Sequence, residues 1–135
     1  MLNKLNKRTR AGFTLVEIMI VVAIIALLAA IAVPGFLRAR KRSQASKVLN
    51  DLRLIDSAVD QYAIENNKKA GNTVLVAAWT QYMKGGTTLY NTGRHPVYGD
   101  YGPQTVDTLP VVPTAAFADL SDVAPSTFWA PYYRP

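Results

Sequence analysis

From Ile18 to Val33 every side chain is apolar. A surface helix keeps one polar face, so a run that is apolar all round must be buried on every side or lie in lipid. Extended to Phe13 and Leu37, the run holds only two polar side chains, Thr14 and Glu17. About 20 apolar residues in a helix cross a bilayer core of roughly 30 Å. The sequence therefore predicts a transmembrane helix over residues 13–37. Pro34-Gly35 near its end predicts a bend, because proline lacks the N–H and crowds the preceding turn.

The helical period continues past Leu37. Ala45, Val48, Leu52, Ile55, Val59 and Tyr62 step by three and four, and Leu49, Ala58 and Ala63 widen the stripe. That pattern predicts an amphipathic helix over 38–67 with one face to bury. Asn66-Asn67 and Gly71 read as stop signals, and Glu65 with Lys69 as a favourable i,i+4 pair. No proline or glycine interrupts Arg38–Asn67. One helix from about Thr14 to about Asn66 is expected, on the order of 80 Å long at 1.5 Å per residue.

Residues 68–135 are rich in Pro, Gly, Thr and Tyr and predict a small domain of short elements. Ala77–Lys84 reads as a brief helix ending at Gly85-Gly86. Thr87–Asn91 and Gln104–Thr108 read as strands, with a turn-rich stretch over 91–102. Pro113-Thr114 opens a short helix over Ala115–Leu120. Phe128-Trp129 and Tyr132-Tyr133 are expected to anchor this domain onto the amphipathic helix.

Charge is unevenly placed. Lys4, Lys7, Arg8 and Arg10 all precede Gly12, and losing them would lower the formal charge from +6 by four, to +2. Net charge is therefore no argument for a nucleic-acid partner. Arg38, Arg40, Lys41 and Arg42 form a second basic cluster, read as a solvated collar facing headgroups. The two clusters are equal in number, so charge asymmetry does not orient the span.

No cysteine is present, which removes disulfides and thiolate metal sites. His95 is the only histidine, read as a surface-loop residue, and a transition-metal site is not expected. Asp100, Asp107, Asp119 and Asp122 are scattered and form no compact calcium loop. No nucleophile sits with a base, so an enzyme is not expected. The aromatic residues beyond Trp79 are expected to serve mainly as core.

A basic N-terminal stretch before an apolar run admits three readings. It is a secretory signal cut after Ala32 at Ala30-Ile31-Ala32, a plain anchor, or the leader of a filament subunit. Glu17 bears on the choice. A carboxylate at the edge of an apolar span is costly and calls for a partner, and no basic side chain lies near it on the same helix. A cut between Gly12 and Phe13 would create one: an α-amine four residues away.

Gly12-Phe13-Thr14-Leu15-Val16-Glu17, the basic leader and Pro34 together resemble the type IV pilin and type II secretion pseudopilin signature. The resemblance implies an α+β pilin-like fold. A long N-terminal helix, its first half transmembrane, would pack on a small β-containing C-terminal domain. It divides the chain into a leader (1–12), a polymerisation helix (13–37), its amphipathic continuation (38–67) and a C-terminal domain (68–135). It further implies cleavage between Gly12 and Phe13 by a prepilin peptidase, N-methylation of Phe13, and assembly involving Phe13, Glu17 and Pro34. Implied partners are further copies of the chain, an inner-membrane platform, an ATPase and, before assembly, lipid. Implied localisation is a single inner-membrane span with a cytoplasmic N-terminus, then a periplasmic or cell-surface filament. Major pseudopilins of type II secretion bind calcium in a C-terminal loop, which this sequence does not display; many surface pilins carry a C-terminal cysteine pair, which it lacks. The short length and the Trp79–Gly85 region favour the pseudopilin-like group, with a surface pilin as the alternative.

Overall fold

The computed structural model describes residues 12–133, so residues 1–11 of the expected leader lie outside the described part. One helix, α1, runs from Leu15 to Glu65 with Pro34 inside it. Pro34 has no N–H to give the carbonyl one turn back, so one rung of the ladder is missing there. The chain clusters into two compact units, residues 1–37 and 38–135.

In the first unit, every described residue is exposed, and the large apolar side chains from Phe13 to Leu37 stay open among the described residues. An 18-residue window of the helix reaches a mean hydropathy of 3.0 with none of it buried. The helix is thus long and apolar enough to cross a membrane.

The second unit is built on the amphipathic part of α1. Its buried residues are Ala45, Val48, Asp51, Leu52, Ile55, Ala58, Val59 and Ala63. Seven of these lie on the stripe read from periodicity; Asp51 is the addition. Around them are packed β1 (Thr73–Val74), α2 (Val76–Trp79), a 3-10 turn (Thr80–Tyr82), α3 (Thr88–Thr92), β2 (Arg94–His95), β3 (Gly99–Asp100), β4 (Gln104–Thr105), α4 (Thr114–Leu120) and a second 3-10 turn (Ser126–Trp129). The strands form two antiparallel pairs. Thr73 faces Thr105 and Val74 faces Gln104, while Arg94 faces Asp100 and His95 faces Gly99.

Two apolar clusters share the α1 stripe. Ala45, Val48 and Leu52 pack with Val112, Ala116, Leu120, Ala124, Trp129 and Tyr132. Ile55, Ala58, Val59 and Ala63 pack with Val74, Trp79, Leu89 and Val106. Each cluster holds one fully buried indole with its N–H satisfied. Trp129 donates to the Ala124 carbonyl at 3.1 Å and Trp79 to the Gly102 carbonyl at 3.3 Å. Phe128 and Tyr133 are partly buried against the first cluster, so of the four expected anchors Trp129 and Tyr132 go deepest.

Several expectations for 68–135 change. Thr87–Asn91 is no strand: Thr87 caps α3, its hydroxyl accepting the Tyr90 N–H at 3.1 Å. The turn-rich stretch holds the β2–β3 hairpin. Only Gln104–Thr105 of 104–108 is strand, with an isolated bridge between Thr105 and Thr108. Glu65 does not reach for Lys69. The helix ends at Glu65, whose carboxylate accepts the Tyr82 hydroxyl proton at 2.6 Å.

Gly93 ends α3 in the left-handed region, at φ 64°, donating its N–H to the Leu89 carbonyl at 2.8 Å. A Cβ there would overlap the Val76 side chain. Left-handed backbone costs a non-glycine residue about 1–2 kcal/mol, and overpacking adds about 1–3 kcal/mol. Gly93→Ala is therefore expected to lower the urea midpoint of the second unit by at least about 2 kcal/mol equivalent, with an unchanged m-value. A midpoint equal to wild type would show that the loop shifts freely to admit the methyl.

Candidate assembly segment

At the start of α1, Thr14 and Glu17 form a reciprocal cap. The Thr14 backbone N–H and hydroxyl donate to Glu17 Oε2 at 2.8 and 3.0 Å, and the Glu17 N–H donates back to the Thr14 hydroxyl at 3.2 Å. This is a capping box, in which the side chains at the helix N-cap and third residue satisfy each other's free backbone donors. Glu17 therefore has a capping partner at the start of its own helix, Thr14, though not a basic one. The signal was present as Thr-x-x-Glu before an apolar run. Both bonds fall on Oε2, so Oε1 is left without a partner among the described residues and the carboxylate is held in one orientation. Its negative charge also sits favourably at a helix N-terminus.

Gly12 and Phe13 precede the helix in non-helical backbone, and the Phe13 side chain is 83% exposed. The peptide bond between them lies just outside α1. Pro34 lies on the same helix about five turns on, and its neighbours Val33, Phe36 and Leu37 are exposed.

The basic cluster does not act as one. Lys41 reaches α4, donating to the Asp119 carbonyl at 2.9 Å and to Asp122 Oδ1 at 3.1 Å. Arg38, Arg40 and Arg42 are exposed. The four C-terminal acids do not converge either. Asp119 and Asp122 serve Lys41, Asp100 pairs with Arg94 at 2.8 Å, and Asp107 occupies a turn at φ 58°. Among the described residues no three metal-binding side chains cluster. Calcium, which takes 6–8 oxygen ligands, has no pre-assembled set there.

His95 is the clearest reversal. Expected on a surface loop, it is 3% exposed, stacked on the Tyr98 ring at 5.1 Å. Tyr98 in turn donates its hydroxyl to Asp119 at 2.9 Å, and burial together with that carboxylate pushes the phenol up to about 12. Asp51, buried on α1, accepts the Tyr101 hydroxyl at 3.1 Å; burial raises its carboxyl above the ordinary value, with the Tyr101 bond opposing.

The family described as "Prokaryotic N-terminal methylation motif" matches residues 7–33. Type II secretion system core protein G of Aeromonas hydrophila is 33% identical over 64 residues, 47% of this chain and 45% of that protein. The type IV major pilin protein PilA of Myxococcus xanthus is 42% identical over 66 residues, 49% of this chain and 30% of that protein. The type IV wide pilus major component of Thermus thermophilus is 43% identical over 65 residues, 48% of this chain and 50% of that protein. The chain spans half or less of the length of these relatives. No solved structure matches it at a significant level.

Proposed function

We propose that the chain is a structural subunit of a helical filament of the type IV pilin and pseudopilin kind, assembled through α1; the N-terminal methylation motif matched over residues 7–33 and the similarity to core protein G and type IV pilus proteins support the reading. The observation that carries the reading is the uncovered apolar helix from Phe13 to Leu37 with a single oriented carboxylate at its head. Burying a large aliphatic side chain is worth about 1.5–3 kcal/mol. The helix therefore stays out of water, first in lipid and then among copies of itself.

Glu17 supplies the reason to leave lipid in one register. After cleavage between Gly12 and Phe13, the Phe13 α-amine of one copy donates to the free Oε1 of another in a charge-assisted hydrogen bond. A prepilin peptidase makes that cut and methylates the new amine. An inner-membrane platform and ATPase drive assembly. The missing rung at Pro34 is the weakest point of the helix backbone and gives it room to adjust as copies pack. The span lies with its N-terminus in the cytoplasm and residues 38–135 outside the inner membrane.

Two machines use such filaments. The core protein G relatives support a type II secretion pseudopilin. The higher identities, 42% and 43%, to type IV pilus proteins support the surface-pilus reading. Long surface fibres carrying this protein in electron micrographs would sink the secretion reading.

Mass spectrometry of the mature chain tests the proposal itself. The expected N-terminus is N-methylated Phe13. A chain beginning at Val33 would instead make it a secreted protein released after Ala32.

A further inference from the structure

We propose that the Arg94–Asp100 hairpin is an acid-released latch, held shut by the neutral imidazole of His95 and freed when that ring takes a second proton. The geometry assigns the tautomer. The backbone N–H groups of Val97 and Tyr98 donate to Nδ1 at 3.2 and 3.3 Å, so that nitrogen carries no proton. The ring proton therefore sits on Nε2, which is buried without a partner among the described residues. A second proton has only Nδ1 to go to. There it would face two N–H donors, end both bonds and place a charge in a site 3% exposed.

Those two bonds close the turn between β2 and β3. The groups around the ring come from α1, the hairpin and α4. From α1, Asp51 favours the charged ring and Lys47 opposes it. Asp51 is itself buried and committed to Tyr101. From the hairpin, Tyr98 stacks on the ring, and the exposed Arg94–Asp100 pair closes the strand ends. From α4, Asp119 holds the Tyr98 hydroxyl. Burial outweighs Asp51, and the imidazole is held below its ordinary 6.5.

The sign follows by linkage. With the folded value depressed, the closed hairpin has its full stability above pH 6.5 and loses it as pH falls from there toward the folded value. Over that window the opening equilibrium rises with falling pH, by at most about tenfold per pH unit for one proton. Arg94 and Pro96 also help line a groove of about 360 Å³ together with Lys47, Asn50 and Leu54 of α1. Release of the hairpin opens that groove to acid surroundings. None of this depends on filament formation.

Amide hydrogen exchange on the purified full chain in detergent micelles, corrected for intrinsic rates between pH 4.5 and 7.5, tests the latch. Amides of residues 94–100 are expected to lose protection as pH falls below about 6.5, by at most about tenfold per pH unit, while those of Ala45–Ala63 keep theirs. Equal loss in both, or loss in neither, overturns the proposal. His95→Gln is expected to abolish the acid loss; the residual trend runs the other way, since the raised Asp51 carboxyl favours the folded state in acid. A His95→Gln hairpin that still opens in acid counts against the latch. Should that variant not fold, the imidazole 15N shifts of the wild type decide. A neutral Nε2–H ring persisting well below pH 6.5 supports the latch, and titration at the ordinary value overturns it.

Discussion

Glu17→Ala subunits are expected to reach the membrane at wild-type levels and to be lost from filaments. Removing the carboxylate makes the apolar run more apolar, so insertion does not suffer. What disappears is the oriented acceptor that the proposed assembly offers to the Phe13 amine of another copy. Deleting one member of a charge pair enclosed by protein typically lowers association by a factor of about 30 or more. Immunoblots of sheared filaments against the membrane fraction read this directly. The alanine also removes the cap made with Thr14, so a second variant separates the two effects. Glu17→Gln keeps an acceptor at the third helical residue, as a capping box allows, and loses only the charge. If the glutamine variant assembles like wild type while the alanine does not, Glu17 acts through the helix cap. If both assemble with the wild-type axial rise, the amine–carboxylate contact plays no part in register.

Trp129→Ala is expected to destabilise the second unit by about 3–5 kcal/mol, the usual cost of emptying a large aromatic site in a core. Domains of this size are stable by about 5–15 kcal/mol, so the loss is a large share of the total. The indole is fully buried among Ala45, Val48, Leu52, Ala116 and Leu120, and its N–H answers the Ala124 carbonyl. Its neighbours are small or fixed on helices, which leaves them little freedom to close the cavity. Urea unfolding in micelles, followed by fluorescence of the remaining Trp79, measures the effect. Trp129→Phe is expected to fall between the two, retaining most of the apolar contact and losing the hydrogen bond. An unchanged midpoint for the alanine variant would mean that the C-terminal segment does not hold this core together.

The two residues illustrate how unevenly the molecule is legible. Glu17 stood out because a lone carboxylate in an apolar run is conspicuous, and its spacing from Thr14 already spelled a cap. Trp129 was recognisable as an anchor, since a chain without disulfides needs large side chains in its core. The Ala45–Ala63 stripe was equally plain, because burying one face of a helix leaves a repeat of three and four. The helix at Thr114–Leu120 was announced by Pro113. By contrast, Thr87–Asn91 reads as a strand over five residues, and only the Thr87 cap and Gly93 beyond it make the segment helical. His95, Lys41 and Asp51 carried no local sign of their partners. Lys41 meets Asp122 across 81 residues and Tyr101 meets Asp51 across 50.

The sequence by itself determined what periodicity and short-range chemistry can encode: the membrane-length apolar run, the amphipathic stripe after it, and the Gly12–Glu17 motif. Tertiary structure alone decided the rest. A polar side chain's burial and protonation depend on which distant backbone groups meet it. That is why a histidine expected in a surface loop became the buried acceptor at the centre of a hairpin.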